Sequence, residues 1–300
     1  MKVQINNERF LEYTKYHYDS CVIWDDPSFT CLNYVSEKRK YTLEQKYWLA
    51  FLYSTCYCCP TAIYMIETLP DLKEINTSIL NDWWKQNKQK CLFQTDKKRI
   101  KNNNQFVELV MSYKYFIGNN TQKERFEQLK GKDEKESYDK IFGAVKTIKH
   151  MWRFGAFLYL EALQSLTNVW IEPTWLDLKE ALSSCNWLAY AVGRDDLVVR
   201  RQEKRHLTDE QYEYLNECLK EIVEYIQKFM PETHSTIWNI ETTLCAYKKR
   251  KRWKRYVGYY IDRMGRDIKK MEEMSWYNFN DLWEFRAKSI PHEYLEEFNS

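Results

Sequence analysis

The 300-residue sequence has few of the residues that interrupt helices, with only 7 glycines and 6 prolines. A fold with many tight turns needs more of both, so this scarcity favours long helices over a sheet-rich fold. No run approaches the ~20 apolar residues of a membrane-spanning helix, and the N-terminal segment carries no apolar signal sequence. We therefore expect no membrane partner and a cytoplasmic location.

Several motifs of established chemistry are also missing. The sequence contains no dinucleotide fingerprint GxGxxG, no phosphate-binding loop GxxxxGK(S/T) and no zinc motif HExxH. Cys56, Cys58 and Cys59 lie together, but no second pair of ligands has zinc spacing, so we predict buried apolar side chains and no metal site. An odd total of nine cysteines in a large chain favours a reducing compartment.

Apolar and aromatic residues are plentiful and recur at helical spacing, since 44% of the chain is hydrophobic and 16% is aromatic. Thr42 and Gln45 predict a capping box that opens a helix. Residues 208–229 form an amphipathic pattern that predicts a second helix. Residues 236–273 predict a C-terminal helix with Gly258 and Gly265 as its weak points. The polar stretch 91–105 predicts a loop.

These patterns predict an all-α class, with a compact multi-helix domain. Three regions are expected: an N-terminal arm (residues 1–40) that is irregular apart from a short helix, a helical catalytic core (41–230), and C-terminal helices (231–300) that carry a basic segment and pack on the core.

Positive charge is concentrated although the net charge is only +3. Seven of the eight residues from 248 to 255 are cationic, and Trp253 lies among them. Such a run neutralises DNA phosphates and releases counterions, although a solvated helix face has the same composition. The predicted contacts to the DNA backbone are Lys248, Lys249, Arg250, Lys251, Arg252, Lys254 and Arg255. A second basic stretch, Lys97–Lys101, is followed by three asparagines.

A glycine and a distant acid form a third feature. Arg153-Phe154-Gly155 predicts a hairpin whose backbone N–H groups bind phosphate, and Asp177 follows 22 residues after the glycine, beyond an apolar helix. This order is similar to that of helix-hairpin-helix DNA glycosylases. The nucleophilic lysine of their bifunctional members has no counterpart in residues 156–158, so we expect no lyase. A packing glycine and an N-cap aspartate are the alternatives.

Five segments together resemble one family from about residue 40 to residue 270. They are Tyr47–Tyr53, Phe93–Arg99, Arg153–Leu163, Leu176–Glu180 and Glu241–Lys249. They resemble the phage amino acid:DNA transferases, also called α-glutamyl/putrescinyl thymine pyrophosphorylases. The resemblance implies an all-α fold distantly related to glycosylases.

The resemblance also implies a reaction. A kinase converts 5-hydroxymethyluracil in phage DNA to a pyrophosphoryloxymethyl base, and the transferase then places an amine on that methylene as pyrophosphate leaves. The implied partners are double-stranded DNA with a modified thymine and a small amine or amino acid, in the host cytoplasm. This chemistry requires no cofactor.

This reaction needs a carboxylate base, cations for the leaving group and side chains that hold the base. We expect Asp177 as the base, with Glu161 in reserve, and Arg153 as a catalytic cation. Predicted substrate-binding residues are Arg99, Lys97, Lys101 and Gly155 for pyrophosphate, Gln94, Asn102 and Asn103 for the uracil edge, and Trp152 and Trp175 for stacking. Arg194 would clamp an amino acid carboxylate, whereas Asp195 and Asp196 would suit a polyamine, and both donors stay open.

Two other functions fit the same sequence. A glycosylase-like enzyme would excise a modified base with Asp177 and water. A non-catalytic DNA-binding protein would use the basic segments only for electrostatic attraction.

Overall fold

A computed structural model of the chain describes residues 7–22, 26–169, 171–199, 206–252, 256 and 258–291. Within these residues the regular secondary structure consists of helices, without a strand, so the predicted all-α class is confirmed. The α-helices of the described residues are α1 (Glu8–Val22), α2 (Ser28–Lys38), α3 (Leu43–Cys56), α4 (Cys59–Thr68), α5 (Thr77–Asn87), α6 (Lys98–Asn102), α7 (Phe106–Ile117), α8 (Gln122–Gln128), α9 (Glu134–Val145), α10 (Arg153–Thr167), α11 (Leu182–Ala191), α12 (Asp209–Phe229), α13 (Ile237–Lys251), α14 (Tyr259–Ser275) and α15 (Asn280–Ser289).

The helices group into two units, each with its own internal packing. Met1–Asp25 and Glu172–Tyr259 form one, called here the small unit, and Asp26–Ile171 and Tyr260–Ser300 form the large unit. Each unit combines two distant stretches of chain. The predicted division at residues 40 and 230 and the distant likeness to glycosylases remain predictions.

Helices α3 and α10 form the centre of the large unit. All ten residues from 47 to 56 in α3 are buried, as expected for a helix that is apolar on every side. The Phe51 ring stacks on Tyr113 of α7 with 3.8 Å between centroids, and the hydroxyl groups of Tyr113 and Tyr159 lie 2.7 Å apart. The Phe51 ring also lies edge to face with Tyr159 of α10, with 5.7 Å between centroids, so α3 and α10 are in direct contact.

The small unit contains α1, α11, α12 and α13. Helix α12 buries one face through Leu215, Leu219 and Ile222, which recur at helical spacing. His17 of α1 joins α13 through a hydrogen bond of 2.9 Å between Nδ1 and the Thr243 hydroxyl. Burial lowers the pKa of His17 to about 4, so this ring is neutral at pH 7.

Local sequence signals predicted several elements correctly. Both hydrogen bonds of the capping box between Thr42 and Gln45 are present, and α12 follows the predicted amphipathic stretch. The single C-terminal helix was wrong: α13 ends at Lys251 and α14 begins at Tyr259, with Gly258 at a φ of 93° between them. Glycine adopts that conformation at no steric cost, which allows the chain to leave the helical path.

Two other expectations need correction. Residues 1–40 contain two helices, α1 and α2, and not one short helix in an irregular arm. The predicted loop at 91–105 contains a 3₁₀ turn, Thr95–Lys97, and the short helix α6. The expected burial of Cys56, Cys58 and Cys59 is confirmed, and burial raises the pKa of all three thiols. None of the helices in the described ranges is both long and apolar enough to cross a bilayer.

Candidate active site

Three of the non-glycine residues with positive φ in the large unit lie in turns next to one cluster of side chains. They are Tyr57 (φ 54°) after α3, Thr95 (φ 48°) in the 3₁₀ turn and His150 (φ 66°) before α10. Each such conformation costs on the order of 1–3 kcal/mol and is most unusual for a β-branched threonine. Side chains at or next to these turns are in contact. The rings of Tyr57 and Phe154 lie edge to face with 5.8 Å between centroids, and the Lys97 ammonium lies 5.4 Å from the Phe154 centroid.

Lys97 is the buried cation of this cluster, with only 1% of its surface exposed. Its Nζ atom lies 2.7 Å from the position that a Cβ atom on Gly155 would occupy, so the missing side chain of the glycine leaves room for the ammonium. No hydrogen-bond or ion-pair partner of this ammonium is present among the described residues. Burial lowers the pKa of Lys97 to about 8, so most molecules still carry this charge at pH 7.

The first turn of α10 lies against this ammonium. Its N-cap residue, Trp152, has an extended backbone and provides no side-chain cap. The backbone N–H groups of Phe154 and Gly155 have no partner within the part of the chain that the structure describes. A helix N-terminus carries partial positive charge, so it and the Lys97 ammonium repel each other and both attract an anion. We call this arrangement of Lys97 and the first turn of α10 the anion site, as a candidate for binding an anion.

This geometry corrects the predicted hairpin at residues 153–155. Arg153 and Gly155 belong to the first turn of α10, and the chain reverses before Trp152 instead. His150, with its positive φ, ends that reversal. The apolar residues after Gly155 continue the same helix, so the glycine lies within a helix and not ahead of one.

Arg99 and Trp152 meet at the outer edge of the anion site. The Arg99 guanidinium lies 4.1 Å from the centroid of the Trp152 ring and forms a weak ion pair with Asp96 at 3.8 Å. The Arg99 side chain is 53% exposed, and Trp152 is 38% exposed. An exposed guanidinium stacked on an indole remains able to bind a second anionic group.

Arg153, predicted as a catalytic cation, is the first residue of α10, and its catalytic role remains a prediction. It is buried, with 7% exposure, and its guanidinium lies 5.2 Å from the centroid of Phe157, one turn further along α10. Lys97, predicted as a secondary ligand, is the cation that contacts the α10 N-terminus at Gly155.

Gln94 lies next to the anion site and binds a carboxylate that sequence analysis missed. Its Nε2 atom donates a hydrogen bond of 2.8 Å to Asp267 of α14. Burial raises the pKa of Asp267, and Arg263, whose Nε lies 3.8 Å from Asp267 Oδ2, opposes that shift. Arg263 in turn lies 4.8 Å from the Tyr57 ring centroid. The only sequence signal for this group was the spacing of Arg263 and Asp267, which is also typical of a surface ion pair.

The other predicted residues of the basic stretch lie further from α10. Lys101 donates a hydrogen bond of 2.7 Å to the carbonyl of Cys91, which gives it a structural role. Asn102 and Asn103 are exposed at the end of α6. Glu161 lies six residues beyond Gly155 on α10, about 9 Å along the helix axis, and its role as the reserve base remains a prediction.

Three of the predicted catalytic and substrate-binding residues belong to the small unit. Asp177 is half-buried before α11, and its Oδ1 accepts a weak hydrogen bond of 3.3 Å from the Glu180 backbone N–H. Trp175 is also half-buried. Arg194 forms a two-bond ion pair with Asp196, at 2.8 and 2.7 Å, and lies over the Tyr214 ring. The predicted closeness of Asp177 to the cations of the large unit remains a prediction.

The basic segment has local partners where the structure describes it. Lys248 donates a hydrogen bond of 3.0 Å to Ser183, Lys251 pairs with Glu12, and Arg250 lies 5.1 Å from the Tyr16 ring centroid. The remaining residues of the segment divide into two groups. Lys249 and Arg252 lie within the described residues, and Trp253, Lys254 and Arg255 lie outside them.

Comparison with known proteins assigns most of the chain to one group of sequences. The family described as amino acid:DNA transferase matches residues 30–255. A serinyltransferase of Salmonella phage ViI is 28% identical over 267 residues, which are 83% of this chain and 64% of that protein. The chain therefore spans less than two thirds of that relative's length. No solved structure gives a significant match.

Proposed function

Because the chain belongs to the amino acid:DNA transferase family, as its sequence segments predicted, we propose that it attaches an amino acid to a modified thymine in DNA. The acceptor is a uracil whose 5-methylene carries pyrophosphate. The donor's amine nitrogen forms a bond to the methylene carbon, and the bond from that carbon to the pyrophosphate oxygen breaks. Pyrophosphate leaves with the electron pair, and the attacking amine loses one proton to a base.

The anion site of Lys97 and α10 carries this proposal. Pyrophosphate gains negative charge as the carbon–oxygen bond breaks, so preorganised donors that exclude water stabilise the transition state. The buried Lys97 ammonium supplies one positive group, and the N–H groups of Phe154 and Gly155 supply a second. Arg99, exposed at the edge, binds the outer phosphate.

The base must leave the DNA stack before its methylene reaches this site, which costs a few kcal/mol. Trp152 offers an exposed indole beside Arg99, so it is our candidate for stacking on the displaced base, with Trp175 as the second. The basic segment from Lys248 to Arg255 supplies affinity for the duplex phosphates.

The amine must be unprotonated when it attacks, so a carboxylate base is required near neutral pH. We propose Asp177 for this role and keep Glu161 as the reserve. An amino acid is favoured over a polyamine as the donor, because the matched relative is a serinyltransferase. Serine is therefore the first donor to test, and Arg194 is the proposed contact for its carboxylate.

The test is incubation of the protein with a duplex that carries 5-(pyrophosphoryloxymethyl)uracil and a mixture of amino acids and putrescine. Mass analysis of the digested DNA is expected to show a nucleoside extended by one amino acid, with pyrophosphate in equal amount. Asp177→Asn is expected to lose most of this product, and Glu180→Gln, three residues away, serves as the matched control. Release of free base would instead indicate excision, and unchanged DNA with every donor would refute transfer.

A further inference from the structure

Gln94 is held at both its main chain and its side chain. Its backbone N–H donates to the carbonyl of Cys56 at 2.9 Å, and its Nε2 donates to Asp267 Oδ1 at 2.8 Å. The strained Thr95 follows directly. The remaining polar atom, Oε1, has no partner among the described residues, and Gln94 is only half-buried. One hydrogen-bond acceptor of fixed direction is thus left for a ligand.

Asp267 determines whether the oxygen or the NH₂ group of the Gln94 amide remains available to a ligand. The Asp267 side chain is 12% exposed, and its Oδ2 lies 3.8 Å from Arg263 Nε and 3.8 Å from the Cys58 thiol. An ionised carboxylate accepts hydrogen bonds and donates none, so the amide must turn its NH₂ group toward Asp267 and its oxygen away. A neutral partner at position 267 would lose this control, because it would accept either orientation.

We propose that Asp267 is a positioning residue that turns the Gln94 carbonyl oxygen toward the substrate base, so that the site selects a base with an N–H donor at N3. This inference rests on the proposed function, which makes the base a uracil. Uracil has one donor on its pairing edge, N3–H, between two carbonyl groups, so a fixed acceptor has only that partner. Cytosine presents a lone pair at N3, which the same oxygen repels, and its donor on this edge is the N4 amino group, which takes the position of the uracil C4 carbonyl and not that of N3–H.

The position of Gln94 supports this assignment. The Lys97 backbone N–H donates to the Gln94 carbonyl at 2.9 Å, so the base-reading amide and the phosphate-binding ammonium belong to one short turn. The proposed substrate places its phosphorylated arm on C5, on the same side of the ring as the C4 carbonyl and close to N3. The turn that holds Gln94 and Lys97 can therefore bind both the phosphorylated arm and the pairing edge of one base.

The experiment measures equilibrium binding without an amino acid donor. Two duplexes carry 5-(phosphoryloxymethyl)uracil or 5-(phosphoryloxymethyl)cytosine opposite an abasic site, so that neither base has a pairing partner. The wild-type protein is expected to prefer the uracil duplex by about tenfold or more, which corresponds to one correct base-edge contact. Equal affinity or a preference for cytosine would overturn the proposal. Because no transfer occurs in this assay, its result is independent of whether the proposed reaction takes place.

Three variants separate positioning from stability. Asp267→Asn is expected to reduce the preference to near unity, because an asparagine accepts either orientation of Gln94. Adding Gln94→Glu to Asp267→Asn is expected to restore it, because the new asparagine donates to one glutamate oxygen and leaves the other as a fixed acceptor. Asp281→Asn breaks ion pairs with Lys38 and Arg39 at similar burial and should keep the wild-type preference. A parallel loss of affinity for both duplexes in Asp267→Asn, without rescue in the double variant, would show a merely structural role and refute the proposal.

Discussion

The Lys97 ammonium occupies the space that a side chain on Gly155 would fill, 2.7 Å from the position of its Cβ atom. Gly155→Ala therefore moves the ammonium away from the α10 N-terminus. The nearest atoms, Lys97 Nζ and Met151 Sδ at 2.9 Å, end flexible side chains, so the fold accommodates the methyl group. We expect the free energy of unfolding to change by less than about 1 kcal/mol, because alanine also favours the helix.

Pyrophosphate affinity in Gly155→Ala is expected to fall about tenfold or more, since a charge-assisted contact is lost. Calorimetric titration with pyrophosphate measures this change. Gly143→Ala is the matched control, because a Cβ on Gly143 of α9 meets nothing within 4 Å. Wild-type affinity in Gly155→Ala would contradict the assigned contact.

Replacing the buried lysine with an apolar side chain is expected to stabilise the protein. Folding lowers the pKa of Lys97 from 10.5 to about 8, which corresponds to about 3 kcal/mol. Between these two pH values the unfolded chain binds more protons, so wild-type stability rises with pH through this window, and the full cost applies below pH 8. Lys97→Met should therefore be more stable than wild type at pH 7 and nearly equal above pH 10.5. Urea unfolding at several pH values measures the difference, and a gain that does not change with pH would refute this origin.

Pyrophosphate binding is expected to weaken as the pH rises through about 8, because the neutral Lys97 amine no longer attracts the anion. A bound anion favours the protonated amine, so Lys97 loses its proton at a higher pH in the pyrophosphate complex than in the free protein. Calorimetric titration from pH 6 to 10 gives this profile. Subtracting the profile of Lys97→Met removes the titration of pyrophosphate itself, and a difference that stays flat across pH 8 would count against the assignment.

The basic segment is expected to contribute to DNA affinity according to the local partners of each cation. Arg250 and Arg252 are exposed, so replacing either with glutamine should reduce the slope of log affinity against log salt by about 0.9. Lys251 pairs with Glu12, so Lys251→Gln should reduce it less. Duplex binding over a series of salt concentrations tests this order, and equal slopes for all three variants would contradict it.

Sequence patterns that span only a few helical turns were sufficient to predict many of the helices. The capping box at Thr42 and the one-sided apolar pattern of α12 depend on residues within a few turns of each other, so both were predictable. The break between α13 and α14 was not, because the polar residues there fit a helix equally well and only Gly258 indicated a change.

The candidate site was predictable in its composition but not in its geometry. Gln94, Lys97 and Gly155 were all selected from the sequence, and the large unit brings them together. Their burial depends on distant packing, so the sequence could not indicate that the Lys97 ammonium lies buried beside Gly155. Asp267 was missed because its partner Gln94 is 173 residues away.

The rate of amino acid transfer in Lys97→Met, beside that of Lys98→Met, tests the central claim most directly. Lys98 is the exposed neighbour and has the same charge, so it controls for the net change. With pyrophosphorylated DNA and serine in a single turnover, we expect Lys97→Met to be slower by roughly a hundredfold, as for the loss of one transition-state donor, and Lys98→Met to match wild type. A Lys97→Met protein that transfers serine at the wild-type rate would contradict the account.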